Sequence, residues 1–202
     1  MARKYEMKRR ARRQEETRQR ITQAAVELHQ ELGPANTTIS ALAERAGVQR
    51  LTVYRHFPDE RALLSACSSH YRAHNPAPDP QPWSEISDPE DRLRRALRET
   101  YAYHRRTEPM MSKVLRDAQV HGPTLEASES YQRHWDRARY VLVSGWGAED
   151  QELKRLLGAL GHALEFWTWR SLVREQGLTE EEAIELMVGM VRCAMRDQED
   201  SA

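Results

Sequence analysis

The feature that most constrains the fold of this chain is the segment 37–57, which reads TTISALAERAGVQRLTVYRHF. Two helices that cross at close range need a small residue where they meet, and Ala43 supplies one. The sharp turn between them needs a residue that tolerates positive φ, and Gly47 supplies it. This spacing predicts a helix-turn-helix, with a first helix from Ser40 to Ala46 and a second from Arg50 to Phe57.

Two small residues alone do not distinguish such a motif from an ordinary amphipathic helical hairpin, so the second helix needs a closer look. On a helical wheel, Val53 and Phe57 face inwards. The outward positions and their flanks are Leu51, Thr52, Tyr54, Arg55 and His56. A face of this composition suits a groove lined by base edges and phosphates.

A longer run, from Ile21 to Leu64, resembles the DNA-binding domain of the TetR/AcrR family of one-component transcriptional regulators. The matching residues are Ile21, Ala24, Ala25, Leu28, Gly33, Thr37, Thr38, Leu42, Ala43, Ala46, Gly47, Val48, Thr52, Val53, Tyr54, His56, Phe57, Ala62, Leu63 and Leu64. The sequence departs from the family pattern at Gln49, where a serine cap is usual, and at Glu60, where a phosphate-binding lysine is frequent.

The resemblance implies DNA contacts at eight positions. The positions that match phosphate-binding residues are Thr38, Tyr54 and His56. The positions that match base-contacting residues are Arg50, Leu51, Thr52, Arg55 and, in some members, Ser40. The implied partner is double-stranded DNA that carries an inverted-repeat operator.

The formal net charge of zero conceals an asymmetry between the two parts of the chain. Residues 1–75 hold 14 Lys/Arg against 8 Asp/Glu, whereas residues 76–202 hold 17 against 23. Residues 1–14 form a basic arm that we expect to be disordered in the free protein. It either contacts DNA phosphates, enters the minor groove or is a solvated tail.

Composition and helix-breaking residues predict an all-α protein. A helix-turn-helix domain at 15–75 would be followed by a proline-rich linker at 76–89 and a helical effector-binding and dimerisation domain at 90–202. The predicted helices outside the motif are Glu15 to Leu32, Pro58 to His74, 90–106, 108–118, 124–144, 149–176 and 179–197. Pro109 and Gly122-Pro123 mark two of the predicted breaks.

In that family the C-terminal domain holds a ligand pocket, and its last two helices pair with those of a second subunit. The sequence agrees with the pairing, since helices 149–176 and 179–197 are apolar on two faces and so need two partners. The alternative is that both helices are central in a monomer. We expect a homodimer through residues 149–197.

Aromatic and methionine side chains suit a pocket for a hydrophobic or aromatic effector. The candidates for that pocket are Tyr103, Met110, Met111, Trp135, Phe166 and Trp167. Residues of these types at helical spacing also form ordinary core, so part of the set is expected to be structural.

Other classes of function find less support in the sequence. No phosphate-binding loop or hydrolase motif is present, so no enzyme activity or cofactor is predicted. His70 and His74 lie one helical turn apart, but no third metal ligand is near in sequence. No apolar run is long enough for a membrane span, and only Cys67 and Cys193 are cysteines, which favours the reducing cytoplasm.

The leading hypothesis is a dimeric transcriptional repressor that a small-molecule effector releases from its operator. An architectural protein that coats or bends DNA without an effector is the alternative, and an enzyme with a DNA-binding head is the third possibility. The sequence does not separate a repressor from an activator, nor does it identify the effector.

Overall fold

The computed structural model describes residues 2–195, and every regular element within them is a helix. The α-helices are α1 (Ala2–Glu31), α2 (Ile39–Ala46), α3 (Arg50–His56), α4 (Glu60–His74), α5 (Pro89–Asp117), α6 (Gly122–Val143), α7 (Asp150–Leu164), α8 (Phe166–Arg170) and α9 (Glu180–Ala194). This confirms the predicted all-α fold class. Within the described residues, no helix has both the length and the hydrophobicity that crossing a membrane requires.

The backbone packs into two compact units that are not contiguous in sequence. Within the described residues, the N-terminal unit comprises 2–76 and 108–129, and the C-terminal unit comprises 77–107 and 130–195. The division into domains at 15–75, 76–89 and 90–202 remains a prediction. The proline-rich segment carries a 3-10 turn over Gln81–Glu85.

The core of the N-terminal unit is built from the apolar faces of its first three helices. Ile21 and Leu28 of α1 pack with Leu42 of α2 and Val53 of α3, and Phe57 closes the cluster just after α3. All five side chains are at most 3% exposed. Since neither α2 nor α3 is long enough to be stable alone, this shared core holds the helix-turn-helix together.

Residues 108–129 belong to the same unit because the end of α5 packs on this core. Met110 is buried in it and Val114 packs against it. The carboxylate of Asp117 is buried, and its Oδ2 accepts a hydrogen bond of 3.0 Å from the backbone N–H of Ala35, in the turn that leads into α2.

The predictions for α1 and α5 differ from the structure in two places. The expected disorder of residues 1–14 is wrong for the described part, because α1 already begins at Ala2. Residues 2–14 contain no glycine, proline or β-branched residue, so nothing interrupts helix propagation. The break at Pro109 is also wrong, since α5 continues through it. Burial of Tyr103 and Met110 on either side outweighs a cost of about 3 kcal/mol for an internal proline.

The single helix predicted over 149–176 is wrong as well, because the chain breaks at Glu165, whose ψ is 137°. The break leaves carbonyl groups without helical partners, and α5 supplies replacements. The Tyr101 hydroxyl donates to the carbonyl of Ala163 at 3.2 Å, and His104 Nε2 donates to that of Leu164 at 3.0 Å. A five-residue π-helical segment, Ser171–Glu175, then follows α8.

Helix α9 packs against α7 and begins as the sequence predicts. The hydroxyl of Thr179 accepts from the N–H of Glu182 at 3.2 Å, and Glu182 accepts in return from the N–H of Thr179 at 2.8 Å, which completes a capping box. Positions 196–197, at the end of the predicted helix, lie outside the described residues.

Candidate nucleic-acid interface

The N-terminus of α2 is fixed by the side chain of Thr38. Its hydroxyl oxygen accepts a hydrogen bond of 3.1 Å from the N–H of Ala41, and its backbone is extended, as an N-cap requires. The capping hydroxyl still has its own proton to donate, and both Thr38 and Ser40 are exposed. Both side chains are therefore accessible to a phosphate or a base edge at this end of the motif.

The turn between α2 and α3 adopts the left-handed conformation that the sequence predicts. Gly47 has φ 63° and ψ 42°, and its N–H donates to the carbonyl groups of Ala43 and Glu44. A Cβ atom at this position would meet nothing within 4 Å, so glycine is favoured here by backbone conformation and not by lack of space. The turn sets the direction in which α3 leaves α2.

Helix α3 presents a polar and partly apolar face to solvent and buries the opposite one. Val53 is 0% exposed, whereas Leu51 is 75% and Tyr54 47% exposed. A leucine this exposed on a seven-residue helix contributes little to the core. It is available for apolar contact, such as with a thymine methyl group.

Arg55 and His56 lie at the C-terminal end of α3, where α1 supports them. Arg55 is exposed, and its Nη2 lies 3.4 Å from the hydroxyl of Thr52. Arg18 of α1 donates to the backbone carbonyl of His56 at 2.7 Å and stacks over the ring of Phe57, with 4.2 Å between its Cζ and the ring centroid. Arg18 thereby fixes the end of the helix that bears Arg55.

The protonation state of His56 follows from this environment. Partial burial lowers the pKa of His56 below its usual value, and the positive charges of Arg55 and Arg18 lower it further. A pKa below the ordinary 6.5 leaves the imidazole mainly neutral at pH 7. A neutral His56 can contact a phosphate as a hydrogen-bond donor.

An open depression between α1 and α3 collects several cations of the N-terminal unit. Its lining includes Arg10, Arg13 and Arg18 from α1 and Arg55 and His56 from α3. We call these five residues the basic groove. Sequence reasoning missed it because the arm was expected to be disordered, although the absence of helix breakers in residues 2–14 was a usable signal.

The helix-turn-helix is the feature that a comparison with known proteins can test. Residues 21–67 match the family model described as bacterial regulatory proteins, tetR family. The N-terminal domain belongs to the TetR family. In this TetR-family domain, α2 and α3 are the two helices of the helix-turn-helix.

Solved structures extend the likeness to most of the chain. A TetR-like transcriptional regulator from Rhodococcus sp. RHA1 has a TM-score of 0.61 and 19% identity, covering 87% of this chain and 93% of its own. The regulator PfmR from Thermus thermophilus has a TM-score of 0.58 and 20% identity, covering 90% and 97%. The fatty acid degradation regulator FadR from Bacillus halodurans has a TM-score of 0.57 and 16% identity, covering 86% and 93%. No curated protein sequence matches the chain.

These likenesses show that the fold of most of the chain is similar to that of solved TetR-type regulators. At identities of 15–20%, they carry no residue roles or ligands over to this chain. The candidate contact residues on α2 and α3 therefore remain predictions, now with known positions.

The structure brings together only part of the predicted effector pocket. Tyr103, Trp135 and Phe166 lie in one aromatic cluster of the C-terminal unit, with ring centroids 5.5–5.9 Å from that of His104. Met110 and Met111 belong instead to the N-terminal unit. Trp167 is 36% exposed, and its ring packs edge-to-face with that of Phe166, with 5.1 Å between the ring centroids. His104, which the sequence reasoning missed, is the centre of the cluster.

The histidine pair considered as a metal site has other partners. The rings of His70 and His74 are 4.3 Å apart, and His70 Nε2 lies 3.1 Å from the side-chain oxygen of Gln23. Among the residues that the structure describes, no group of three His, Cys, Asp or Glu side chains is placed to hold a metal ion.

Proposed function

We propose that this chain is a dimeric transcriptional repressor that binds an inverted-repeat operator and leaves it when a small molecule binds the C-terminal unit. The observation that carries the DNA-binding part is the exposed face of α3, flanked by the basic groove. Base edges in the major groove would meet α3, and phosphates would meet the arginines. Measuring affinity for operator against scrambled DNA at one salt concentration tests this against an architectural role.

Arg55 is the residue we expect to read a base, because an exposed arginine on a recognition helix most often forks onto guanine O6 and N7. Arg55→Ala is expected to cost roughly 1–3 kcal/mol on sites that carry that guanine and little on others. Tyr54→Phe, which removes a proposed phosphate contact, should weaken all sites to a similar degree. Selection of bound sequences from a random library measures both variants. An unchanged sequence preference for Arg55→Ala, with affinity lost on every site, would show that Arg55 contacts phosphate instead.

The proposed dimer uses the outer faces of α7 and α9. On α9 the exposed or half-buried residues include Leu186, Gly189 and Met190, and on α7 they include Leu157 and Gly158. A Cβ at Gly158 or Gly189 would meet nothing within 4 Å, so these faces have room for the close approach of another helix. Packing of this apolar strip against its symmetry mate would form a four-helix bundle.

The monomer core dictates which substitution tests this interface. Leu160 and Val188 also lie on these helices, but both are 0% exposed within one subunit. A charge at either position would be buried in the core and would unfold the subunit before it revealed anything about assembly. Leu186, which is 50% exposed, avoids this difficulty.

Leu186→Glu is therefore expected to convert dimers to folded monomers, because it places two like charges in the proposed interface. Leu125→Glu is a matched control, since Leu125 is 47% exposed but lies in the N-terminal unit. Sedimentation velocity reports the mass, and circular dichroism checks that helix content is retained. If both variants sediment as dimers, the subunits associate through another surface.

The repressor and effector parts of the proposal rest on the fold and on the aromatic cluster of the C-terminal unit. A reporter gene placed behind the operator should be silent when the protein is present and active when the protein is deleted. An activator would produce the opposite pattern. Release of operator DNA by an added small molecule, followed by fluorescence anisotropy, tests the effector step.

A further inference from the structure

The interior of the C-terminal unit contains buried polar atoms that have no hydrogen-bond partner. Among the described side chains, those of residues 5–195, there are six such atoms, and all of them belong to this unit. They are Thr100 Oγ1, His104 Nδ1, His134 Nε2, Trp135 Nε1, Arg139 Nε and Trp169 Nε1. Native interiors keep few such atoms, because each loses its hydrogen bonds to water on burial, so these atoms need partners that the chain itself does not supply, either water or a guest molecule.

His104 is the residue whose hydrogen bonding is best defined. It is 0% exposed, and its Nε2 lies 3.0 Å from the carbonyl oxygen of Leu164. A carbonyl only accepts, so Nε2 carries the proton and Nδ1 presents a lone pair. Burial lowers the pKa of His104 to about 4, so at neutral pH the ring is uncharged and Nδ1 is an acceptor.

The surroundings of His104 are aromatic. The ring centroid of His104 lies 5.5 Å from those of Trp135 and Phe166 and 5.8 Å from that of Trp169. Thr100 is one helical turn before His104 on α5, and its hydroxyl is also unpartnered. The cluster thus combines apolar walls with one acceptor, one hydroxyl and the indole donors of Trp135 and Trp169.

The backbone around this cluster is irregular where Phe166 and Trp169 are attached. Both residues lie on α8, which has only five residues between the break at Glu165 and the π-helical segment Ser171–Glu175. π-Helical turns are rare in proteins, but many of those that do occur lie at functional sites. A short helix between two irregular segments can shift locally to admit a guest more readily than the middle of a long helix can.

The charges around the cluster narrow the class of guest. The guanidinium of Arg106 lies 5.5 Å from the ring centroid of Tyr103, and that of Arg174 lies 5.3 Å from that of Trp169. A negative charge also acts on the cluster, since the carboxylate of Glu165 helps to raise the pKa of Tyr131, whose ring centroid lies 5.8 Å from that of Trp135. Two guanidinium groups therefore face one carboxylate around these rings, and this balance of charge disfavours a cationic guest.

We propose that the aromatic cluster around His104 binds an uncharged aromatic molecule that carries a hydroxyl or N–H group. His104 Nδ1 accepts the hydrogen bond from that group, and Thr100 Oγ1 and Trp169 Nε1 donate to the same molecule. The identification of this guest as the effector rests on the proposed function, whereas its binding to the free protein does not.

Phenol and anisole are the probes, because they share one ring and differ in the donor hydroxyl. Quenching of tryptophan fluorescence by each compound gives its affinity for the full-length protein. We expect phenol to bind at least tenfold more tightly than anisole to the wild type. His104→Phe, which keeps a ring but removes the acceptor, should abolish that preference. His74→Phe, on the surface of the N-terminal unit, is the matched control and should retain it.

His104→Asn places an amide oxygen near the position of Nδ1 and should restore part of the preference, which also covers the case in which His104→Phe does not fold. Three results would overturn the proposal: equal affinities for phenol and anisole, tighter binding of choline than of phenol, and no binding of phenol or anisole. If neither compound binds, water occupies the site. If phenol binds and its binding depends on His104, but the protein stays on operator DNA, the binding site is supported and its role in DNA release is contradicted. If other small molecules still release DNA from the His104→Phe variant, effector-driven release is supported, but the effector binds elsewhere.

Discussion

Replacing Gly33 with alanine is expected to lower the free energy of unfolding by about 3–5 kcal/mol. Gly33 has φ 94° and ψ 157°, a region of backbone conformation that is nearly exclusive to glycine. A Cβ there would lie 2.3 Å from Oδ2 of Asp117 and 2.6 Å from Nη2 of Arg116. Displacing the buried carboxylate would also remove its hydrogen bond from Ala35. The free-energy cost of the backbone strain and that of the lost hydrogen bond therefore add.

Gly47→Ala is the matched control, because Gly47 also has positive φ but has nothing within 4 Å of its Cβ position. It should cost only about 1–2 kcal/mol, the penalty for left-handed backbone alone. Urea unfolding followed by circular dichroism measures both variants. All five tryptophans lie in the C-terminal unit, so their fluorescence midpoint is an internal reference for that unit. Equal losses for the two variants would show that the contact with Asp117 contributes nothing.

DNA binding is expected to weaken by about 10³-fold or more when salt rises from about 50 to about 200 mM. The physical reason is the release of counterions when the basic groove and the exposed groups of α2 and α3 neutralise several phosphates. The slope of log K against log salt, measured by fluorescence anisotropy, counts these contacts. A slope of magnitude below about 2 would mean that few phosphates are neutralised.

Deletion of residues 2–13 should flatten that slope and weaken binding to every sequence. The helical form of α1 allows a sharper test with two pairs of substitutions. Arg10 and Arg13 line the basic groove, whereas Arg9 and Arg12 do not line it. Replacing the first pair with alanine should reduce the slope more than replacing the second. If the two pairs behave alike, the arm acts as a diffuse cationic tail and not as an ordered wall of the groove.

The helix-turn-helix could be predicted from the sequence because its determinants are local. The cap of α2 at Thr38, the left-handed Gly47 and the inward-facing residues of 37–57 lie within a few turns of one another, and the described structure has each of them. The capping box at Thr179 is local in the same sense. Interactions between residues three or four apart are fixed by helix geometry, so a pattern in the sequence specifies them.

Three other features depended on residues that are distant in the sequence. Pro109 lies inside a continuous helix, Glu165 interrupts a pattern that reads as one helix, and Met110 packs in the N-terminal unit although it follows the proline-rich segment. In each case burial or a buried hydrogen bond from another helix outweighs the local preference.

The sequence by itself determined the all-α class, the DNA-binding motif and the outward face of α3, since short-range geometry and side-chain chemistry suffice for those. Only the tertiary structure decided that the basic arm continues as a helix beside α3 and that His104 lies at the centre of the aromatic cluster. It also decided that Leu160 and Val188 are core residues and not surface ones. Burial in a helical protein depends on which faces meet across the fold, and a single helix with two apolar faces does not specify which face its own subunit covers.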